Sequence, residues 1–166
     1  AVKDWATVGT KGERKPNIIT SLSLQAEELE RQNVERYERY KYIEENETMY
    51  EEYMMDDAEI VLVAFGITAR VSKNAINEAR KMGIKVGLIR PITLWPFPVA
   101  PFKKALDNGA KAFVSVEMSM GQMIEDVRLA TECKVPVTLC NRVGGMIPSP
   151  EQVLDTIKEI ANGGAK

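Results

Sequence analysis

The chain has 166 residues, 45% of them hydrophobic, a net charge of −2 and no histidine. That length suits one domain with a real core plus some additional chain. The near-neutral balance gives no general attraction to nucleic acid or a membrane surface, no apolar run approaches the roughly 20 residues of a membrane span, and the start carries no signal-peptide pattern.

Residues 1–23 read as an irregular linker, broken by Gly9, Gly12 and Pro16. A start at Ala1 rather than Met is what a fragment or a processed subunit would show. Residues 24–57 form an acidic helical arm. From Leu24 to about Met54 there is hardly a Gly or Pro, and good helix formers dominate. Glu27 with Arg31 and Glu35 with Arg39 are favourably ordered pairs, and Asn46 is a place where the helix can break in two. Residues 25–59 hold 13 acidic and 4 basic side chains, a net of −9, which leaves +7 for the remainder. All five tyrosines fall in this region, and tyrosine suits half-wet interfaces, so two readings stay open: an amphipathic helix lying on its own domain, or an arm that meets a partner.

Residues 58–166 read as an α/β domain. Ile60 to Phe65 is a short, β-branched apolar run without alternation, which suits a strand covered on both faces. Gly66 and Thr68 turn the chain, and Val71, Ala75, Ile76, Ala79 and Met82 recur at helical spacing over 69–82. Gly83 stands where a left-handed C-terminal cap belongs, and Lys85 to Arg90 is the next strand. Strand, helix, strand makes a βαβ unit and hence a parallel sheet. The stretch from Arg90 to Pro98 holds three prolines and forbids helix. Trp95 and Phe97 in it either plug an end of the sheet or form a docking knob. A helix over 99–108 is closed by Gly109, and a strand over 111–116 ends at Glu117. Ser119 is placed to cap a helix running from Met120 to about Cys133. A fourth strand, 136–140, lies nearer an edge. Ser149-Pro150-Glu151-Gln152 is a well-formed start for the last helix, which runs to about Ala161. The fold class is therefore α/β, a three-layer open sheet with mostly parallel strands and a long N-terminal helical arm.

Recognisable catalytic equipment is sparse. Neither a dinucleotide-binding G-x-G-x-x-G nor a P-loop follows a strand. Without histidine a nucleophile triad of the serine-protease kind is excluded, and the commonest metal ligand is missing. Cys133 and Cys140 have no third or fourth ligand nearby, so no metal site is expected; both are read as buried structural thiols, and two cysteines without a disulfide framework fit a reducing cytoplasm. What remains is geometric. The loops 66–68, 117–121 and 141–145 should gather at one sheet edge, where free amides at helix starts can receive an anion. Arg90 and Arg142 would support that anion or pair with Glu117. On these residues alone the chain reads as an α/β domain, with a small-molecule or anion-binding regulatory role as one possibility.

Four segments together say more: AEIVLVAFGITARV at 58–71, GIKVGLIRPITLWPFP at 83–98, VEMSMGQMIEDVR at 116–128 and GGMIPSPEQVL at 144–154. In this order they resemble the C-terminal part of the alpha subunit of 2-oxoacid:ferredoxin oxidoreductases, with the 2-ketoisovalerate and 2-oxoglutarate types most similar. The resemblance extends from about Trp5 to Ile160, and YERYKYIEENETMYEEY at 37–53 is similar to the family's connecting segment. It implies a transketolase C-terminal-like domain, mostly parallel with one antiparallel edge strand. It also implies a cytoplasmic thiamine-diphosphate enzyme complex that decarboxylates a 2-oxoacid, reduces ferredoxin through iron–sulfur clusters and forms an acyl-CoA. The implied partners are a beta subunit holding thiamine diphosphate and Mg²⁺, a gamma subunit and a ferredoxin-like delta subunit. The G-D-G diphosphate motif and cluster-binding cysteine runs are absent from this sequence, so the resemblance implies a non-catalytic assembly domain that binds no cofactor itself. Gly66, Thr68, Arg90, Trp95, Glu117, Gly121 and Gln122 match the family's loops, with Arg142 beside them, and packing and assembly are the roles implied for them.

Overall fold

A computed structural model describes residues 9–18 and 20–164. The chain divides into two compact units, 1–40 and 41–166. In the first, where an irregular linker is expected over 1–23, residues 9–18 and 20–25 form neither helix nor strand. The part of that expectation covering residues 1–8 and 19 lies outside the described residues.

Helix α1, Ala26–Asn46, begins in the first unit and ends in the second, and none of its residues is buried. Local pairing supports it. Arg31 bridges Glu28 at 2.6 Å and also pairs with Glu35, so its partners differ from the Glu27 that spacing suggested. Such exposed pairs contribute a few tenths of a kcal/mol each. The helix stops eight residues short of the expected Met54. Asn46 Nδ2 donates to the Tyr42 carbonyl at 2.8 Å and Thr48 Oγ1 donates to the Glu44 carbonyl at 2.8 Å, so side chains satisfy the last-turn acceptors.

Beyond that stop the 24–57 arm is no longer helical. Tyr50–Tyr53 is strand β1, which pairs antiparallel with the later strand Val86–Pro91, Tyr50 opposite Pro91 and Tyr53 opposite Leu88. Tyr-Glu-Glu-Tyr is compatible with helix by local propensity. A partner strand with unpaired amides decides otherwise.

The remaining elements follow the expected order. Strand β2 is Ile60–Val63, α2 is Gly66–Lys81, β3 is Val86–Pro91, α3 is Ala100–Asp107, β4 is Ala112–Glu117, α4 is Met123–Ala130, β5 is Val137–Asn141 and α5 is Pro150–Ala161. The sheet runs β1-β3-β2-β4-β5, parallel except for β1. Every residue of β2 and β4 is buried, as befits central strands, including the polar Ser115 and Glu117 of β4. Strand β5 takes the edge. Gly83, at φ +82°, closes α2: its amide donates to Arg80 and that of Ile84 donates back to Ala79. Ser149 caps α5 by accepting the Gln152 amide at 3.2 Å.

The sheet separates two cores. On one face Leu62, Leu88 and Val114 pack with Ile76 of α2 and Val153 and Ile157 of α5. On the other Val61, Val63 and Phe113 pack with Phe102 of α3 and Val127 of α4, the two phenylalanine rings 5.7 Å apart. Helix pairs therefore cover both faces, giving the three layers expected.

Gly87 marks the tightest contact in this arrangement. A Cβ there would lie 2.7 Å from both the Met54 carbonyl oxygen and Met55 Sδ, where the chain from β1 to β2 crosses β3. Gly87→Ala is expected to destabilise the domain by about 1–3 kcal/mol through overpacking. Urea denaturation of the two proteins measures it.

Candidate functional site

Strands β2 and β4 are neighbours, yet the chain leaves them for opposite faces, β2 into α2 and β4 into α4. Such a reversal opens a crevice outside the carboxyl ends of the strands, the usual ligand position in open α/β sheets. Here it is a groove of about 460 Å³. Phe65 and Ile67 come from the start of α2, Leu94 from the proline-rich loop, and Glu117 and Met118 from the end of β4; Asp126 of α4 completes it. Gly66, Thr68 and Gln122 also line it, so the fold brings together four of the residues singled out from sequence.

Glu117 is the most constrained of them. It is 5% exposed. Its Oε1 accepts from the Ser115 hydroxyl at 2.8 Å and the Ile124 amide at 2.9 Å. Its Oε2 accepts from the Ser119 hydroxyl at 2.6 Å and from the amides of Gln122 at 2.8 Å and Met123 at 3.1 Å. The carboxylate is thus the cap of α4. Ser119 was expected to fill that role for a helix beginning at Met120. Instead residues 118–122 form a bend, α4 begins at Met123, and Ser119 serves the carboxylate and the Gly121 amide. Gly121 sits at φ +101°, and a Cβ on it would press within 3.2 Å of Ile124 and 3.3 Å of Leu139. The helix also ends at Ala130, short of Cys133, with Glu132 and Cys133 at positive φ in the following turn.

Burial pushes the Glu117 carboxyl up, but the hydroxyls of Ser119 and Ser115 and the amides of Gln122 and Ile124 outweigh it and hold the group below its ordinary value. With five donors on its two oxygens it has no free lone pair with which to act as a base or bind a metal. Asp126 is the opposite case. Burial, then the charges of Glu117 and Glu125, push its carboxyl up.

The other sequence-singled residues lie elsewhere or act otherwise. Arg90 stands opposite Glu51 across the β1–β3 pair and bridges it at 2.8 Å, while Lys73 pairs with the same carboxylate. Lys73 and then Arg90 hold Glu51 below its usual range. Arg90 therefore pins the edge strand in register and does not reach Glu117. Arg142 is exposed, and its backbone amide, not its guanidinium, meets Glu117, donating to the carbonyl at 3.1 Å. The side chain that ties this loop to β4 is Asn141, donating to the Ser119 carbonyl at 2.6 Å. Trp95 stays exposed, whereas Phe97 packs on Phe102 with ring centroids 5.4 Å apart, so of the two aromatics of the proline-rich loop only Phe97 plugs the core. Thr68 lies inside α2, its hydroxyl donating to the Phe65 carbonyl at 2.8 Å; the helix starts three residues before the expected Ala69.

Sequence reasoning passed over Ser115, Asn141, Asp126 and the apolar lining. Ser115 had a visible signal, a lone hydroxyl in the buried run AFVSV. Among the described residues no group of three His, Cys, Asp or Glu side chains could hold a metal ion, and none forms an iron–sulfur ligand set; Cys140 is buried and Cys133 exposed. Among the described residues the groove itself offers Glu117, already saturated, and Asp126 as its carboxylates. The amides of α4 that an anion would need are taken by Glu117.

The family model for pyruvate:ferredoxin oxidoreductase core domain II matches residues 58–153, more than half of the chain. The chain belongs to this family. It is 50% identical over 157 residues to the ketoisovalerate oxidoreductase subunit VorB of Methanothermobacter thermautotrophicus, covering 95% of this chain and 44% of that protein. The chain thus spans under half the length of that curated relative. Among solved structures, the 2-oxoglutarate:ferredoxin oxidoreductase from Magnetococcus marinus superimposes with a TM-score of 0.69 at 22% identity, covering 82% of this chain and 24% of that one. A split-gene transketolase matches with a TM-score of 0.56 at 15% identity, covering 66% of this chain and 40% of that one. These two likenesses establish the transketolase C-terminal-like fold of this core domain II.

The capping carboxylate sets a pH dependence. A carboxyl held below its unfolded value contributes stability fully above that value, about 4.3 for glutamate, and loses it as pH falls through the lowered folded value. Glu117→Gln is expected to cost about 2–3 kcal/mol at neutral pH, since a buried charged acceptor is lost. The gap to the parent should narrow below about pH 4. Urea titrations of both proteins across the acid range check this.

Proposed function

We propose that this core domain II is a non-catalytic assembly part of a thiamine-diphosphate-dependent 2-oxoacid:ferredoxin oxidoreductase, one that converts a 2-oxoacid to an acyl-CoA in the cytoplasm. The observation that carries the non-catalytic reading is the state of Glu117. The one buried carboxylate at the ligand position of this sheet is saturated by its own chain, which leaves a structural group where a catalytic one would otherwise be sought. The donor set described above supports placing thiamine diphosphate, Mg²⁺ and the iron–sulfur clusters on partner subunits: a thiamine-diphosphate beta subunit, a gamma subunit and a ferredoxin-like delta subunit. Identity of 50% over 157 residues with a ketoisovalerate oxidoreductase subunit, against 34% over 102 residues with a 2-oxoglutarate synthase subunit of Methanothermobacter marburgensis, supports 2-ketoisovalerate as the substrate.

The intact subunit, tagged and captured anaerobically, is expected to bring down iron–sulfur partners and to show coenzyme A-dependent viologen reduction. The rate should be highest with branched-chain 2-oxoacids and lower with 2-oxoglutarate and pyruvate. The 166-residue chain alone is expected to give no saturable heat with thiamine diphosphate. Micromolar binding by that chain would overturn the non-catalytic assignment.

A further inference from the structure

We infer that the crevice between β2 and β4 is a docking socket for a neighbouring polypeptide of the oxidoreductase assembly, which inserts an apolar side chain and sets a lysine or arginine against Asp126. This rests on the assembly reading above and adds where on the domain the contact forms.

The two ends of the sheet differ. At the amino ends of the parallel strands a groove of about 420 Å³ is flanked by charges that pair with each other, Glu59 bridging Lys85 at 3.2 Å and also pairing with Lys111. At the carboxyl ends Phe65, Ile67, Leu94 and Met118, from three separate connections, leave large apolar side chains exposed around one groove. Apolar side chains drawn together from distant parts of the chain and left uncovered mark a contact surface, and aromatic residues and methionine are enriched at the centre of such surfaces.

The occupant's chemistry follows from which polar groups remain. A small-molecule site needs a few convergent, unsatisfied polar groups to orient its ligand. Here Glu117 is saturated and Thr68 is bonded to Phe65. Asp126 is different. No described residue hydrogen-bonds or ion-pairs with it, since the adjacent Glu125 takes Arg128 at 2.8 Å. Burial, then the negative charges of Glu117 and Glu125, push its carboxyl up. An apolar groove with one repelled carboxylate at its wall complements an apolar side chain with a cation beside it. It repels anions, which argues against a phosphorylated metabolite.

The test uses the full subunit co-expressed with its partner subunits. Leu94→Glu, Met118→Glu and Asp126→Lys are compared with Met82→Glu and Leu129→Glu, whose exposed side chains lie outside the groove. Thermal melting of each variant confirms folding, and native mass spectrometry reads the assembly. The two control variants should retain partners at the parent level. Each groove variant should weaken association about tenfold or more, as loss of a central contact does, with Asp126→Asn between the parent and Asp126→Lys. If the parent captures partners and the groove variants capture them equally well, the docking socket is wrong while the assembly reading stands. If the parent captures none, the assembly reading itself fails. If the groove variants alter only self-association, the occupant is a second copy of this chain and the proposal is overturned. If only Asp126→Lys is silent, the cation is wrong.

Discussion

Glu117 must stay ionised inside the protein for α4 to begin at Met123. A carboxylate removed from water is costly unless donors replace the lost solvent. Two serine hydroxyls and three amides do so, and those amides are among the ones a helix start leaves unsatisfied. One side chain thereby satisfies two demands, its own and that of the helix, and the dipole of α4 favours the charge. Ser119 is held in turn by Asn141 through its carbonyl, and the Asn141 carbonyl accepts from Gln152 of α5 at 3.3 Å. The end of β4, the start of α4, the loop after β5 and the start of α5 are thus joined through one anion. The same saturation removes Glu117 from chemistry.

The groove is a product of topology. Because β3 and β5 are reached from the central strands in opposite directions, the helices after β2 and β4 part to opposite faces and cannot cover the gap between them. In a catalytic α/β protein such a gap would gather reactive side chains. In this core domain II its lining is mostly apolar, and Asp126 at its wall has no ion-pair partner among the described residues. That pattern suits burial against another polypeptide better than a bound metabolite.

Much of the architecture was legible because it is encoded over short distances. The βαβ unit followed from an apolar run, a helical repeat and Gly83; the start of α5 followed from Ser149 and Pro150. The candidate site was partly legible. The loops carrying Gly66, Thr68, Glu117 and Gln122 do meet, because parallel strands deliver their carboxyl ends to one edge. Which partner each side chain takes was not legible. Arg90 looked available to Glu117 and instead meets Glu51, 39 residues away in sequence, because β1 pairs with β3 in a register that sets the two opposite each other. Ser119 looked like the cap because capping rules count along the chain, and nothing local reveals that a buried glutamate two residues earlier competes for the same amides.

By itself the sequence determined the class of fold, the order of the elements and most helix ends, since each depends on periodicity or turn chemistry within a few residues, while the family was legible as a resemblance carried by four segments in order. Tertiary structure alone decided that Tyr50–Tyr53 is a strand and that α1 stops at Asn46. It also decided that Glu117 is a cap and that Asp126 stands at an apolar groove without a partner among the described residues. Those outcomes rest on hydrogen-bond donors, acceptors and charges brought together from distant parts of the chain. A short polar segment such as Tyr-Glu-Glu-Tyr has no preference strong enough to settle its state before a partner strand is present.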